Sequence, residues 1–288
     1  MAEMTAVNRK PSMMVNPVIG KMQKHFVQAE PDEKTATYGG IALKTAYMLL
    51  LTVVGVALYF ILHSVLVTGV HAFQEGTIHL HEEFFDVTTN MAETAVLIFA
   101  GFLVLVMPMF AWEIRPLIPV VGTLYGLAQG VLIGFTTNCL GADYKWIALL
   151  AMVLTLALVS VMLFLYAKQI VKVNKKFKAV VTILFFTAAF GGAITFVLGL
   201  IPGLSSIMGG LQTILQDPLI GVISGVLFII IGALFLLADF DSIEHCVENR
   251  MSKKYEWMAA WGLAYTVIYL YLKIFNLILR LTSKKESE

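Results

Sequence analysis

Two carboxylates stand at the end of a long apolar run, in Leu236-Leu-Ala-Asp-Phe-Asp-Ser-Ile-Glu-His245. They close the uncharged stretch Pro218–Ala238. An acid at membrane depth is costly, and where it occurs it marks an ion or proton pathway by default. Asp239 and Asp241 are two residues apart, so on a helix they point about 200° apart and cannot share one site. Asp241 continues into Glu244, His245 and Glu248 at helical spacing, a polar stripe expected to face water or a vestibule. Asp239 is flanked at the same spacing by Phe235, Leu236, Ser242, Ile243 and Cys246, and is expected to face a largely apolar wall. The alternative is that both acids mark the cytoplasmic end of the helix and sit in headgroup water.

A second stripe runs along the last apolar segment: Gly262, Tyr265, Thr266, Tyr269, Lys273, Asn276 and Arg280. Such a face belongs against the bundle. It lines either a narrow wet path or a set of interhelical hydrogen bonds. Lys273 lies about 24 Å along a helix from Trp257, too far to pair with Asp239 or Asp241, and is expected to snorkel to the outer surface. The stretch from His63 to Glu93 also holds His71, Glu75, His79, His81, Glu82, Glu83 and Asp86, with no lysine or arginine. It reads as an acidic, solvated outer loop that could bind a metal weakly or respond to pH, with no spacing of a closed zinc site. No metal site and no cofactor beyond transient calcium binding is expected. Neither a His-Glu-x-x-His motif nor a nucleophile–base pairing appears, so the chain is not expected to be an enzyme.

The elements that must hold these residues follow from composition. The chain has 288 residues, 59% hydrophobic and 14% charged. A soluble domain carries roughly 45–50% apolar and about 25% charged residues, so the surplus cannot all enter a water-soluble core. It is blocked into uncharged runs: 45–62, 94–111, 116–142, 146–167, 179–216, 218–238 and 257–272. Pro202 and its neighbouring glycines split the fifth run into a helix and an outer loop. About 20 residues cross a bilayer core. The reading is an all-α polytopic bundle of seven transmembrane helices spanning 41–282, with a cytoplasmic amino-terminal segment 1–40 and a polar tail 283–288. The first 40 residues show no apolar core with a cleavage site, so no cleavable signal peptide is expected.

Orientation follows lysine and arginine. Fifteen of the 20 lie in the amino-terminal segment and in the loops after the second, fourth and sixth runs, whereas the three intervening loops hold only Lys145. The amino terminus is therefore expected in the cytoplasm and the protein in the cell membrane. The basic tail with Arg280, Lys284 and Lys285 opposes this, and the rival is six spans with a last helix that re-enters from the cytoplasm. Net charge +1 gives no reason to expect nucleic acid. Cys139 and Cys246 fall on opposite sides and are expected to be free. In the third helix Gly122, Gly126, Gly130 and Gly134 line one face and let a neighbouring helix approach backbone to backbone. Gly221 and Gly225 do the same in the sixth. The third-helix face serves packing within the bundle or a dimer.

Several segments resemble the Bax inhibitor-1-like family (transmembrane Bax inhibitor motif proteins) in its prokaryotic branch. They are Asp239-Phe-Asp-Ser-Ile-Glu244, Lys254-Tyr-Glu-Trp-Met-Ala-Ala260 and Tyr269-Leu-Tyr-Leu272, with weaker echoes in Asn16-Pro-Val18, Thr37-Tyr-Gly-Gly40 leading to Lys44-Thr45, and Arg115-Pro-Leu117 leading to Leu124-Tyr125. The resemblance implies a seven-helix bundle with the last helix central, a passive calcium leak, and a proton-sensitive carboxylate pair joining helices six and seven. The helix-six member would be Asp241, where periodicity prefers Asp239 as the buried acid. The helix-seven member falls at Tyr265, which is expected to donate a hydrogen bond to a helix-six carboxylate. Gln129 and Lys273 also stand where the resemblance leads one to expect acids. Asp239, Asp241, Glu244 and Tyr265 are thus the candidate ion-pathway or pH-sensing residues. The expected function is a pH-modulated calcium or other cation leak. The alternative is a non-transporting regulatory protein that binds a membrane protease or another channel. Cysteines introduced at Glu82 and at Lys175 should label from opposite sides of the membrane, with Lys175 cytoplasmic; labelling from one side would overturn the topology.

Overall fold

The structure is a computed structural model that describes residues 34–69, 78–81, 86–113, 117–141, 144–171, 173–199 and 218–286. Seven helices are described: α1 (Tyr38–His63), α2 (Met91–Glu113), α3 (Ile118–Asn138), α4 (Trp146–Ala167), α5 (Lys175–Gly199), α6 (Pro218–Glu248) and α7 (Tyr255–Glu286). A π-helical stretch, Ser64–Gly69, prolongs α1. Six of the seven described helices, all but α5, are long and apolar enough to cross a membrane. Large apolar side chains such as Leu50, Phe99, Leu149, Phe164, Ile223 and Leu227 are exposed around the outside. An apolar exterior on this scale is unstable in water and suits lipid. The chain is a multi-pass membrane protein.

Part of the segment read as an acidic loop is a short hairpin, β1 (Ile78–His81) paired antiparallel with β2 (Asp86–Thr89), His79 opposite Thr88 and His81 opposite Asp86. The β-branched Ile78, Val87, Thr88 and Thr89 favour extended pairing there. His71, Glu75, Glu82 and Glu83 lie outside the described residues, as do the amino-terminal 33 residues, Arg115 and the loop with Pro202.

The last helix is the hub, in contact with α6, α1, α4 and α3. At 32 residues it is unbroken and about 48 Å long, more than a bilayer core requires. It runs past residue 282 into the segment read as a polar tail. Likewise α6 does not stop at Ala238 but continues through both aspartates to Glu248. It ends where Met251 N–H reaches back to the Cys246 carbonyl and Arg250 takes a left-handed φ of 49°.

That turn is fastened to the start of α1. Ala36 N–H donates to Met251 O at 2.7 Å, Lys253 N–H donates to Lys34 O at 2.8 Å, and Thr35 bridges Ser252. Beside it Glu256, fully buried in the first turn of α7, accepts from the Thr37 backbone N–H at 3.0 Å, from the Thr37 hydroxyl at 3.1 Å, and from the Lys44 ammonium. Thr37 is itself the N-cap of α1, accepting from Gly40 N–H. A Cβ on Gly40 would run into the Glu256 carboxylate. The echo Thr37-Tyr-Gly-Gly40…Lys44 and the segment Lys254–Ala260 are two halves of one joint.

The four glycines of α3 face α1 within the same chain. A Cβ on Gly126 would lie 3.0 Å from the Met48 carbonyl, and one on Gly134 would lie 2.7 Å from Tyr59 Cβ. One on Gly130 would strike the Thr52 carbonyl and come 2.7 Å from Gly55 Cα. Gly122 meets Met48 and Trp261. In α6, Gly221 and Gly225 face Arg280 and Leu277 of α7. Both cysteines are free and buried. Because the obstacle at Gly130 is backbone, Gly130→Leu should lower stability by about 1–3 kcal/mol, read as a drop in the melting temperature in detergent; an unchanged melting temperature would mean that α1 and α3 do not meet there.

Candidate functional site

On α6 the two aspartates part company as their spacing requires. Asp239 turns inward and is 1% exposed. Its Oδ2 accepts a hydrogen bond of 2.6 Å from the hydroxyl of Thr266 on α7. Asp241 turns toward α5, where the Lys178 ammonium pairs with it. Lys178 is buried and Asp241 is partly open. One turn on, Glu244 accepts from the Tyr166 hydroxyl of α4. His245 is tied to Asn249, whose amide donates to the His245 carbonyl at 2.6 Å. The stripe lines a cleft of about 350 Å³ whose walls are Val173, Asn174, Lys175, Lys178, Asp241, Glu244, His245 and Glu248. The start of α5 forms the opposite wall, fixed by Asn174 capping the Phe177 N–H at 2.8 Å.

Beyond Asp239 the bundle closes. Phe235, one turn back along α6, stacks flat on Phe185 of α5, ring centroids 4.0 Å apart. Tyr269 of α7 packs edge-on to Phe185 at 4.8 Å. Three polar atoms are sealed in the ring-rich interior around α7. The Tyr269 hydroxyl, Gln129 Oε1 of α3 and Trp261 Nε1 of α7 are buried with no hydrogen-bond partner among the described residues.

Three readings of the sequence need correction. Tyr265 does not reach a helix-six carboxylate; it lies in a ring cluster with Tyr125 at 5.6 Å, Trp261 at 5.5 Å and Phe185 at 6.3 Å. The donor to Asp239 is Thr266. One residue on a helix is about 100° of rotation, which carries Tyr265 away from α6 and aims Thr266 at it. Lys273 does not snorkel outward. Its ammonium lies 4.7 Å from the Phe228 ring centre and 5.3 Å from that of Tyr269, between α6 and α7. His63 is not a loop residue but the last residue of α1. Its Nδ1 pairs with buried Glu93 of α2 at 2.8 Å, and Asn138 of α3 lies 3.3 Å from Nε2.

Sequence reasoning counted Lys178 only as a topological charge and passed over Tyr166. A signal existed for Lys178, which is the last charge before the uncharged run of α5. None existed for Tyr166, whose role depends on how α4 docks on α6. No group of three or more histidine, cysteine or acidic side chains that could hold a metal occurs among the described residues.

Thr266→Val keeps the shape of the side chain but leaves a buried carboxylate short of a donor. Stability should fall by about 1–3 kcal/mol, measured by thermal unfolding in detergent; an unchanged midpoint would show that Asp239 does not depend on Thr266.

No curated protein and no solved structure matches the chain. The family model described as Bax inhibitor 1 like matches residues 16–283, nearly the whole length. With that match and the segments Asp239–Glu244 and Lys254–Ala260 built into one helical bundle, the chain belongs to the Bax inhibitor 1 like family.

Proposed function

We propose that the protein is a passive, pH-modulated cation leak of the cell membrane, with seven spans, a cytoplasmic amino terminus and no enzymatic activity. Family membership makes calcium the first cation to test. The observation that carries the reading is the position of Asp239. It is a buried acid two residues from Asp241, on the wall of a cleft where Asp241, Glu244 and Glu248 outnumber Lys175 and Lys178. A cleft of this kind gathers cations, and Asp239 offers the next charge inward. The Lys178–Asp241 pair and the Phe185–Phe235 stack make the described state a closed one. The basic start of α5 and the basic turn after α6 lie at the same end, which supports a cytoplasmic cleft. The glycine face of α3, which would have suited a membrane partner, is taken up by α1, so that face does not speak for the regulatory reading.

The test is flux of potassium and of calcium, in separate runs, through the purified protein in liposomes. Asp241→Asn should cut flux with little loss of stability. Lys178→Met should raise flux by freeing Asp241. Asp239→Asn should act more on stability than Asp241→Asn does. Imidazoles titrate between about pH 5 and 8, and a charged His245 would add positive charge to the cleft. Flux should therefore fall as pH drops through that range, and His245→Gln should flatten the fall. Wild-type flux no greater than that of empty liposomes would remove the reading.

A further inference from the structure

His63 stands where α1 changes its winding. The α-helix ends on it, and the π-helical stretch Ser64–Gly69 begins at the next residue. Turns of this kind are uncommon and recur at functional sites. The 26 residues of α1 carry His63 about 39 Å from the start of the helix beside Glu256, to the end of the bundle away from the cleft. There its Nδ1 lies 2.8 Å from Oε1 of Glu93, in the first turn of α2.

Glu93 is sealed, and its second oxygen, Oε2, has no hydrogen-bond partner among the described residues. No lysine or arginine pairs with it among those residues. The imidazole is therefore the cation that can balance this acid. The His63 side chain is 15% exposed against 2% for Glu93, so water reaches the ring and not the carboxylate. The other titratable groups beside the pair are Tyr59, whose hydroxyl lies 3.4 Å from Nδ1, and Cys139 at the end of α3, close enough to feel the charge of Glu93. A phenol and a thiol are ordinarily neutral where imidazoles titrate. Asn138 of α3 completes the group, 3.3 Å from Nε2. An amide can offer its nitrogen to a neutral ring or its oxygen to a charged one, so α3 stays engaged in both states.

With His63 charged, the pair is balanced. With His63 neutral, Glu93 is left as a buried charge without a cation or takes up the proton itself, and the charge-assisted bond is lost in either case. The loss falls on the joint between the π-helical stretch and α2. Asn90 spans that joint, Nδ2 donating to Leu66 O at 2.7 Å and Oδ1 accepting from the Glu93 N–H at 2.9 Å.

We propose that His63 and Glu93 form a proton-operated latch on the end of the bundle away from the cleft, closed when the imidazole is charged and loosened when it is neutral. Imidazoles titrate between about pH 5 and 8. The latch is thus made at the acid end of that range and lost as pH rises through it. It is independent of the cation-leak reading, and its test involves no flux.

The experiment is hydrogen–deuterium exchange of the whole protein in detergent, at about pH 5.5 and about pH 8. Each rate is divided by that of an unstructured amide at the same pH, and thermal unfolding confirms that each variant is folded. In wild type, protection of residues 64–69 and 93–97 should fall about tenfold on going to the higher pH. In His63→Gln and in Glu93→Gln it should be equal at the two values. His63→Lys, whose ammonium ordinarily keeps its charge to about pH 10, should stay protected at the higher pH. A variant with His71, His79 and His81 all replaced by glutamine should keep the wild-type fall. Wild-type protection that does not change, a fall that persists in His63→Gln or His63→Lys, or a fall that disappears from the triple variant overturns the latch. Should His63→Gln not fold, wild type and His63→Lys decide the matter between them.

Discussion

A carboxylate with no access to solvent has to be matched by donors, and Glu256 sets that requirement for the whole bundle. Its partners come from a segment more than 200 residues earlier in the chain: Thr37 twice, and Lys44. Removing one member of a buried charged pair typically costs about 3–5 kcal/mol, because the other is left uncompensated. The joint therefore fixes the level at which α1 and α7 start. The first turn of α7 adds its own preference for negative charge. With α1 and α7 pinned side by side, α3 docks on α1 through Gly55 and Gly130, where backbones meet. Of the rest, α4 and α6 pack on α7, α2 packs on α3 and α5 packs on α6. In a membrane no hydrophobic drive gathers helices, so close packing and polar joints of this kind have to do it.

The candidate site shows how one helix can carry two acids with unlike duties. Asp239 is sealed, and its tie to Thr266 joins the helix of the cleft to the central helix. Asp241 faces outward and is held by a lysine on a third helix. Movement of α6 relative to α7 would disturb the first, and movement of α5 would disturb the second. The cleft walls thus belong to separate helices, and α6 is tied to each of its neighbours by a polar contact: Thr266 on α7, Lys178 on α5 and Tyr166 on α4. The aromatic stack of Phe185 and Phe235 lies between that cleft and the rest of the bundle, so the same displacement of α5 against α6 would alter the barrier.

Toward the opposite end a second polar group links three helices. His63 closes α1, Glu93 opens α2 with Asn90 capping its N–H at 2.9 Å, and Asn138 ends α3. Both ends of the bundle are thus tied by buried polar contacts between helix termini, and the middle is held by glycine contacts and rings. Unpaired backbone groups at helix ends need partners, which makes the ends the natural place for such ties.

The helices and the division between apolar and polar faces were legible in the order of residues. Long uncharged runs have one stable form in lipid, because each backbone donor has to find its acceptor within the same segment. That order also determined that Asp239 and Asp241 diverge, since their angular separation is a property of one helix. The close approach at Gly122, Gly126, Gly130 and Gly134 was legible as a face, but whether that face met its own chain or another was not. The tertiary structure alone decided the partners: Thr266 and not Tyr265 for Asp239, Lys178 for Asp241, Tyr166 for Glu244, α1 for the glycines, two rings for Lys273. Helical periodicity fixes the direction in which a side chain leaves its helix. What it meets depends on the rotation and depth of the neighbouring helix, and those are set by contacts far apart in sequence, such as Thr37 with Glu256.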